Sequence, residues 1–154
     1  MRTIIFIVAL TFLVGCGGNG SSVQEDGNKI FDSTVVAITS GNWYKPDVNS
    51  SWQWQLKDTI NTSYNVEIYD IDLFDSNTTL IQSLKNSGKK VVCYFSAGSY
   101  ENWRSDKNDF PSLALGNTLD GWPDEQWLDI SNEDLAPIMK ARLDLAVAKG
   151  CDGK

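Results

Sequence analysis

Apolar and polar positions change period several times along this chain, and the changes mark out its elements. Val91-Val92-Cys93-Tyr94-Phe95 is an uninterrupted apolar run rich in β-branched and aromatic side chains. Such a run predicts a strand buried on both faces, as in a parallel sheet. Ser96-Ala97-Gly98-Ser99 then breaks it with small residues, and Tyr100, Glu101, Trp103 and Arg104 follow in a polar-aromatic loop. Upstream, Asn65 to Asp70 read as another strand, leading into Ile71-Asp72-Leu73-Phe74-Asp75. Leu80, Ile81 and Leu84 share one face of a helix, capped by Asp75 or Ser76 and ended at Gly88. Strand, helix and strand form a β-α-β unit, which makes parallel sheets with right-handed crossovers.

On either side the pattern is less regular. Residues 51–56 alternate aromatic and polar side chains, as a strand does. Residues 107–126 are rich in Gly, Pro and Asn and predict a long ordered loop, with one short strand at Trp127–Ile130. A second helix follows, capped by Asp134, with Pro137 in its first turn where no backbone N–H is needed. Its buried stripe is expected to be Leu135, Ile138, Met139, Leu143 and Ala146, with Gly150 at its end and Cys151-Asp152-Gly153 entering a further strand. At the other end, Arg2 and the apolar residues 4–14 make a leader too short to span a bilayer. It closes in Leu13-Val14-Gly15-Cys16, which resembles a bacterial lipobox; the alternative is an ordinary signal peptide with a chance cysteine. The expected organisation is therefore a signal peptide over 1–15, a lipidated Cys16 with a flexible linker over 16–28, and one domain over 29–154. Gly17 after the cysteine implies an outer-membrane location, or an extracellular one if the domain is released.

Composition narrows the chemistry. The formal net charge of −7 argues against a nucleic-acid partner and is compatible with a cationic ligand. The chain has no histidine, which removes Ser-His-Asp and Cys-His catalysis and the usual zinc sites together. No metal or cofactor is called for, and any catalysis rests on carboxylates, tyrosine or lysine. The candidate carboxylates are Asp70, Asp72, Glu101 and Asp129, and Tyr94 or Ser96 is expected to line a pocket at the carboxyl end of its strand. Asp70 and Asp72 are either pocket residues or structural caps, and Glu101 with Arg104 is either part of the site or an ion pair. Trp43 and Trp52 are either core residues or platforms that stack on sugar rings.

Four collinear stretches carry a resemblance to a known family: YDIDLFD (Tyr69–Asp75), VVCYFSAGSYENWRSD (Val91–Asp106), GWPDEQWLDI (Gly121–Ile130) and PIMKARLDLAVAKGCDG (Pro137–Gly153). Together they closely resemble glycoside hydrolase family 114, the endo-α-1,4-polygalactosaminidases with a TIM-barrel fold. The resemblance implies an α/β fold, a (β/α)8 TIM barrel of which about the first three to four β/α units are present. A complete barrel takes about 250 residues, so the chain is expected to be a fragment or a truncated product of poor stability. It implies a galactosamine-containing polysaccharide as substrate, with Trp43, Trp52, Asp70, Asp72, Tyr94, Ser96 and Glu101 as substrate-binding candidates. In that family an acidic run after the fourth strand carries one presumed catalytic carboxylate; here Lys154 stands at its start, so the catalytic pair is expected beyond it. Alternatives are a non-catalytic sugar-binding lipoprotein and an inactive truncated product. In the barrel reading Cys93 and Cys151 lie at equivalent ends of adjacent parallel strands, either as a disulfide or as two small buried hydrophobes.

Overall fold

A computed structural model describes Gly41 and residues 43–153. The leader, Cys16 and the linker expected over 16–28 lie outside the described residues.

Three strands, β1 (Trp52–Gln55), β2 (Ile68–Asp72) and β3 (Lys90–Tyr94), form a parallel sheet in the order β1-β2-β3. Helix α1 (Thr78–Asn86) connects β2 to β3. Period-two alternation divides the faces. Tyr69, Ile71, Val91 and Cys93 point toward the helices and are fully buried with Leu73, Ile81, Leu84 and Ala146. The other face carries the rows Trp54-Asp70-Val92 and Asp72-Tyr94. This face leaves Trp52, Trp54 and Tyr94 exposed, so β3 is not buried on both sides as its apolar run predicts.

The first helix is capped by Asn77, one residue later than expected: its Oδ1 accepts from the Leu80 N–H at 2.9 Å. Ser76 is buried, and its carbonyl accepts from the Lys149 ammonium at 2.8 Å. Gly88 adopts φ 79° just past the helix end.

The long loop is corrected. Strands β4 (Ser99–Glu101), β5 (Leu115–Leu119) and β6 (Trp122–Leu128) build an antiparallel sheet in the order β4-β6-β5. Its hairpin turns on Asp120-Gly121, with Gly121 at φ 79°, the left-handed region that a residue without a Cβ enters at no steric cost. Pro123 is tolerated because β4 reaches only Glu125 to Trp127, so no ladder bond to β4 is asked of its nitrogen. Phe110, Ala114, Leu128, Leu135 and Ile138 pack as a second core.

Helix α2 (Leu135–Lys149) touches both cores. Its buried stripe runs Leu135, Ile138, Arg142, Ala146, whereas Leu143 is exposed. Arg142 takes the stripe position because its guanidinium finds partners there: Asp106 at 2.7 and 3.1 Å and the Ser96 carbonyl at 2.6 Å. Asp134 precedes the helix without a capping bond from its side chain. Beyond Gly150, Cys151 is joined to Cys93 by a disulfide with Cα atoms 6.0 Å apart. Cys93 N–H donates to the Gly153 carbonyl at 2.9 Å, and Val92 and Gly153 form a parallel bridge, the first contact of a further strand on β3.

Gly150 controls that return. It sits at φ 86°, and a Cβ there would meet Gln82 Nε2 at 2.7 Å. Gly150→Ala should cost about 1–2 kcal/mol, read as a lowered denaturant midpoint; an unchanged midpoint would contradict this account of the turn.

Candidate functional site

A cleft of about 950 Å³ opens where the carboxyl ends of the parallel strands meet the antiparallel sheet. Asp72, Tyr94 and Ser96 line it from β2 and from the end of β3 and the residues after it, where an α/β sheet presents polar residues to ligands. Trp54 and the loop after β1 line it too, as do Trp122, Trp127 and Glu125 of β6 and Trp103. These four tryptophans are each roughly half exposed. Six carboxylates face the cleft against two cations, Lys57 and Arg104.

The floor is braced by one buried guanidinium. Arg104 donates to both Asp72 oxygens at 3.0 and 2.6 Å and to both Glu101 oxygens at 2.9 Å. Asp72 Oδ1 also accepts from the N–H groups of Phe74 and Asp75, at 2.8 and 2.9 Å, which fixes the turn leaving β2. Burial would push the Arg104 guanidinium down, but the hydrogen bonds and charges of Glu101 and Asp72 outweigh it and hold the group above its usual range. Asp72 and Glu101 are thus committed ion-pair partners at the cleft floor. The other cleft carboxylates are Asp58, Asp75, Asp124 and Glu125, of which Asp75 is exposed and lies 3.6 Å from the Arg104 guanidinium. Of these, Glu125 Oε2 accepts from the Ser99 hydroxyl at 2.7 Å and Asp124 Oδ1 from the Asn102 amide at 2.9 Å.

The remaining candidates separate. Tyr94 and Ser96 line the cleft, and burial, then the charges of Glu101 and Glu125, raise the Tyr94 phenol, keeping it protonated at neutral pH. Asp70 lies mid-strand, not at the strand end, and does not line the cleft. Its Oδ1 is the one buried side-chain polar atom without a hydrogen-bond partner among the described residues. Trp52 shares the open sheet face with Trp54 but lies outside the cleft, and Trp43 lies outside it under Lys45, 4.7 Å from its ring. Asp129 is exposed, held by the Ser131 hydroxyl at 2.6 Å and lowered by that bond, and takes no part in the cleft. Trp54, Trp103, Trp122, Trp127 and Glu125 were not expected in the site; the Asp-Gly turn was the signal that would have brought β6 to it.

Burial alone raises the Asp70 carboxyl above the usual 3.8. The folded chain therefore holds this proton more tightly than the unfolded one, and stability falls as pH rises from the unfolded value through the folded one. Asp70→Asn should raise the melting temperature at pH 7 and leave it unchanged near pH 3; equal melting at both would contradict this.

Among the described residues no cluster of acidic or cysteine side chains is arranged to hold a metal ion. A family model described as glycoside-hydrolase family GH114 matches residues 33–153. Among solved structures, the chain is similar to Ega3 of Aspergillus fumigatus in complex with galactosamine, at 50% identity and TM-score 0.68, over 73% of this chain and 47% of that one. It is similar in fold alone to the glycoside hydrolase domain of PelA from Pseudomonas aeruginosa, at 10% identity and TM-score 0.52, over 66% of this chain and 40% of that one. No curated protein matches. The chain thus spans about half the length of the Ega3 chain.

Proposed function

The chain belongs to glycoside hydrolase family GH114, and from that premise we propose that it serves the hydrolysis of a galactosamine-containing polysaccharide, as part of an endo-α-1,4-polygalactosaminidase. The observation that carries this reading is the cleft itself, with aromatic walls and a surplus of carboxylates. De-N-acetylated galactosamine carries an ammonium group, so such a polymer is polycationic, and its ring faces are apolar enough to stack on indole. The similarity to a chain described in complex with galactosamine points the same way. In this reading β1, β2 and β3, with Gly153 starting the next strand, are the first units of a (β/α)8 barrel whose ligands bind at the carboxyl ends of its strands. The proposal extends to lipidation at Cys16 and attachment to the outer membrane, on the sequence alone.

Glycosidic hydrolysis generally needs one protonated and one ionised carboxyl group across the scissile bond. Asp72 and Glu101 both answer to Arg104, so neither is free for that work, and the proposed catalytic pair lies outside the described residues. The described part supplies the glycan-holding wall. That commitment also favours a second reading, in which this chain binds the glycan without cleaving it. A reducing-end assay on de-N-acetylated galactosamine polymer addresses both. The account expects the chain to be retained by the polymer while generating no reducing ends above background. New reducing ends would place a working pair among Asp58, Asp75, Asp124 and Glu125 and overturn the assignment of the pair.

A further inference from the structure

Lys57 projects from the loop after β1 and holds its ammonium 5.4 Å from the ring centre of Trp122, on the opposite wall of the cleft. The loop is built to hold that position. The Gln55 amide donates to the carbonyls of Lys57 and Thr59 at 2.9 and 3.0 Å, and its oxygen accepts from the Asn61 N–H at 2.9 Å. Asp58, next in the chain, sits at φ 63°, the left-handed region that costs a residue with a Cβ and persists only where surrounding structure imposes it. Trp122 is held from the other side by the Asp120-Gly121 hairpin, paired with Leu119.

The two cations of the cleft differ in how they are tied. Arg104 is held by four hydrogen bonds to Asp72 and Glu101 and by an ionic contact to Asp75, whereas Lys57, among the described residues, has no carboxylate within ion-pair distance and donates no hydrogen bond from its ammonium. Its partner is the indole face, an attraction that is modest at an exposed site and readily exchanged for another cation of the same kind. The nearby uncommitted carboxylates, Asp58 and Asp124, add favourable potential for any cation placed there.

We infer that the Trp122 face is a subsite for the ammonium of one galactosamine unit, and that Lys57 occupies this subsite until substrate displaces it. The inference rests on the proposed substrate and adds where its amino group is read. Lys57 then sets a threshold: a ligand whose ammonium outcompetes the lysine seats on the indole, and an N-acetylated sugar, lacking the charge, does not displace it.

The test follows the Trp122 indole N–H signal by nuclear magnetic resonance in the full chain, assigned by its loss in Trp122→Phe. Tetramethylammonium chloride is titrated against matched sodium chloride. The signal should shift in the wild type, and Lys57→Met should bind the probe about two- to fivefold more tightly, because the competing cation is gone. An unmoved Trp122 signal in Lys57→Met, or equal or weaker binding by that variant, overturns the subsite. A galactosamine oligosaccharide that binds without moving the Trp122 signal also overturns it and leaves the proposed substrate standing. If the oligosaccharide does not bind while Lys57→Met still gathers tetramethylammonium on Trp122, the substrate reading falls and the ammonium subsite stands.

Discussion

Arg104→Met should destabilise the chain by about 3–5 kcal/mol, the usual cost of removing one partner from a buried charge network. Asp72 and Glu101 have only 4% and 5% of their side-chain surface exposed, so each would be left ionised without its counter-charge. Against a typical total stability of about 5–15 kcal/mol, that loss removes much of the folded population. The damage should centre on the turn after β2, because Asp72 also holds the N–H groups of Phe74 and Asp75. Denaturant unfolding measures it. The triple variant Asp72→Asn, Glu101→Gln, Arg104→Met should recover a large part of the loss, since it leaves no uncompensated charge. A single variant as stable as wild type would show that the network is solvated in solution.

Cys93→Ala with Cys151→Ala should cost about 4 kcal/mol, because the bridge closes a loop of 58 residues. That loop contains the cleft-lining antiparallel sheet and α2, so the bridge ties the start of the next strand to β3 beneath the cleft floor. Thiol titration of the denatured chain should find Cys93 and Cys151 unreactive until a reductant is added. Reduction of the wild type should lower its denaturant midpoint to that of the double variant. Equal midpoints with and without reductant would contradict a stabilising bridge.

The legible part of the fold is the part held by local periodicity. Val91 to Phe95, the Leu80-Ile81-Leu84 face and Gly88 each point to the same β-α-β unit, and the unit is there. The antiparallel sheet escaped because Leu-Gly-Asn-Thr-Leu and Trp-Pro-Asp-Glu-Gln-Trp-Leu are largely exposed strands with little apolar alternation. Only the Asp-Gly turn betrayed their pairing. Without that sheet the sequence offered no way to bring Trp122, Trp127 and Glu125 to the ends of β2 and β3. The Glu101–Arg104 pair was visible at a spacing of three; its third member, Asp72, joins from 32 residues upstream and is set by topology. Arg142 was unreadable for a related reason, since a charged residue enters an apolar stripe only where tertiary structure supplies Asp106 and a free carbonyl. The cysteines were left open because facing direction, not spacing, decides whether they meet.

The central claim is that the acidic, tryptophan-walled cleft holds a cationic amino-sugar polymer. Calorimetric titration of the chain with a galactosamine oligosaccharide and its fully N-acetylated counterpart, each at low and high salt, tests it most directly. The account predicts binding of the de-N-acetylated ligand that weakens as salt rises, with the acetylated ligand bound markedly more weakly at both. Equal affinity for the two ligands, or preference for the acetylated one, would contradict it.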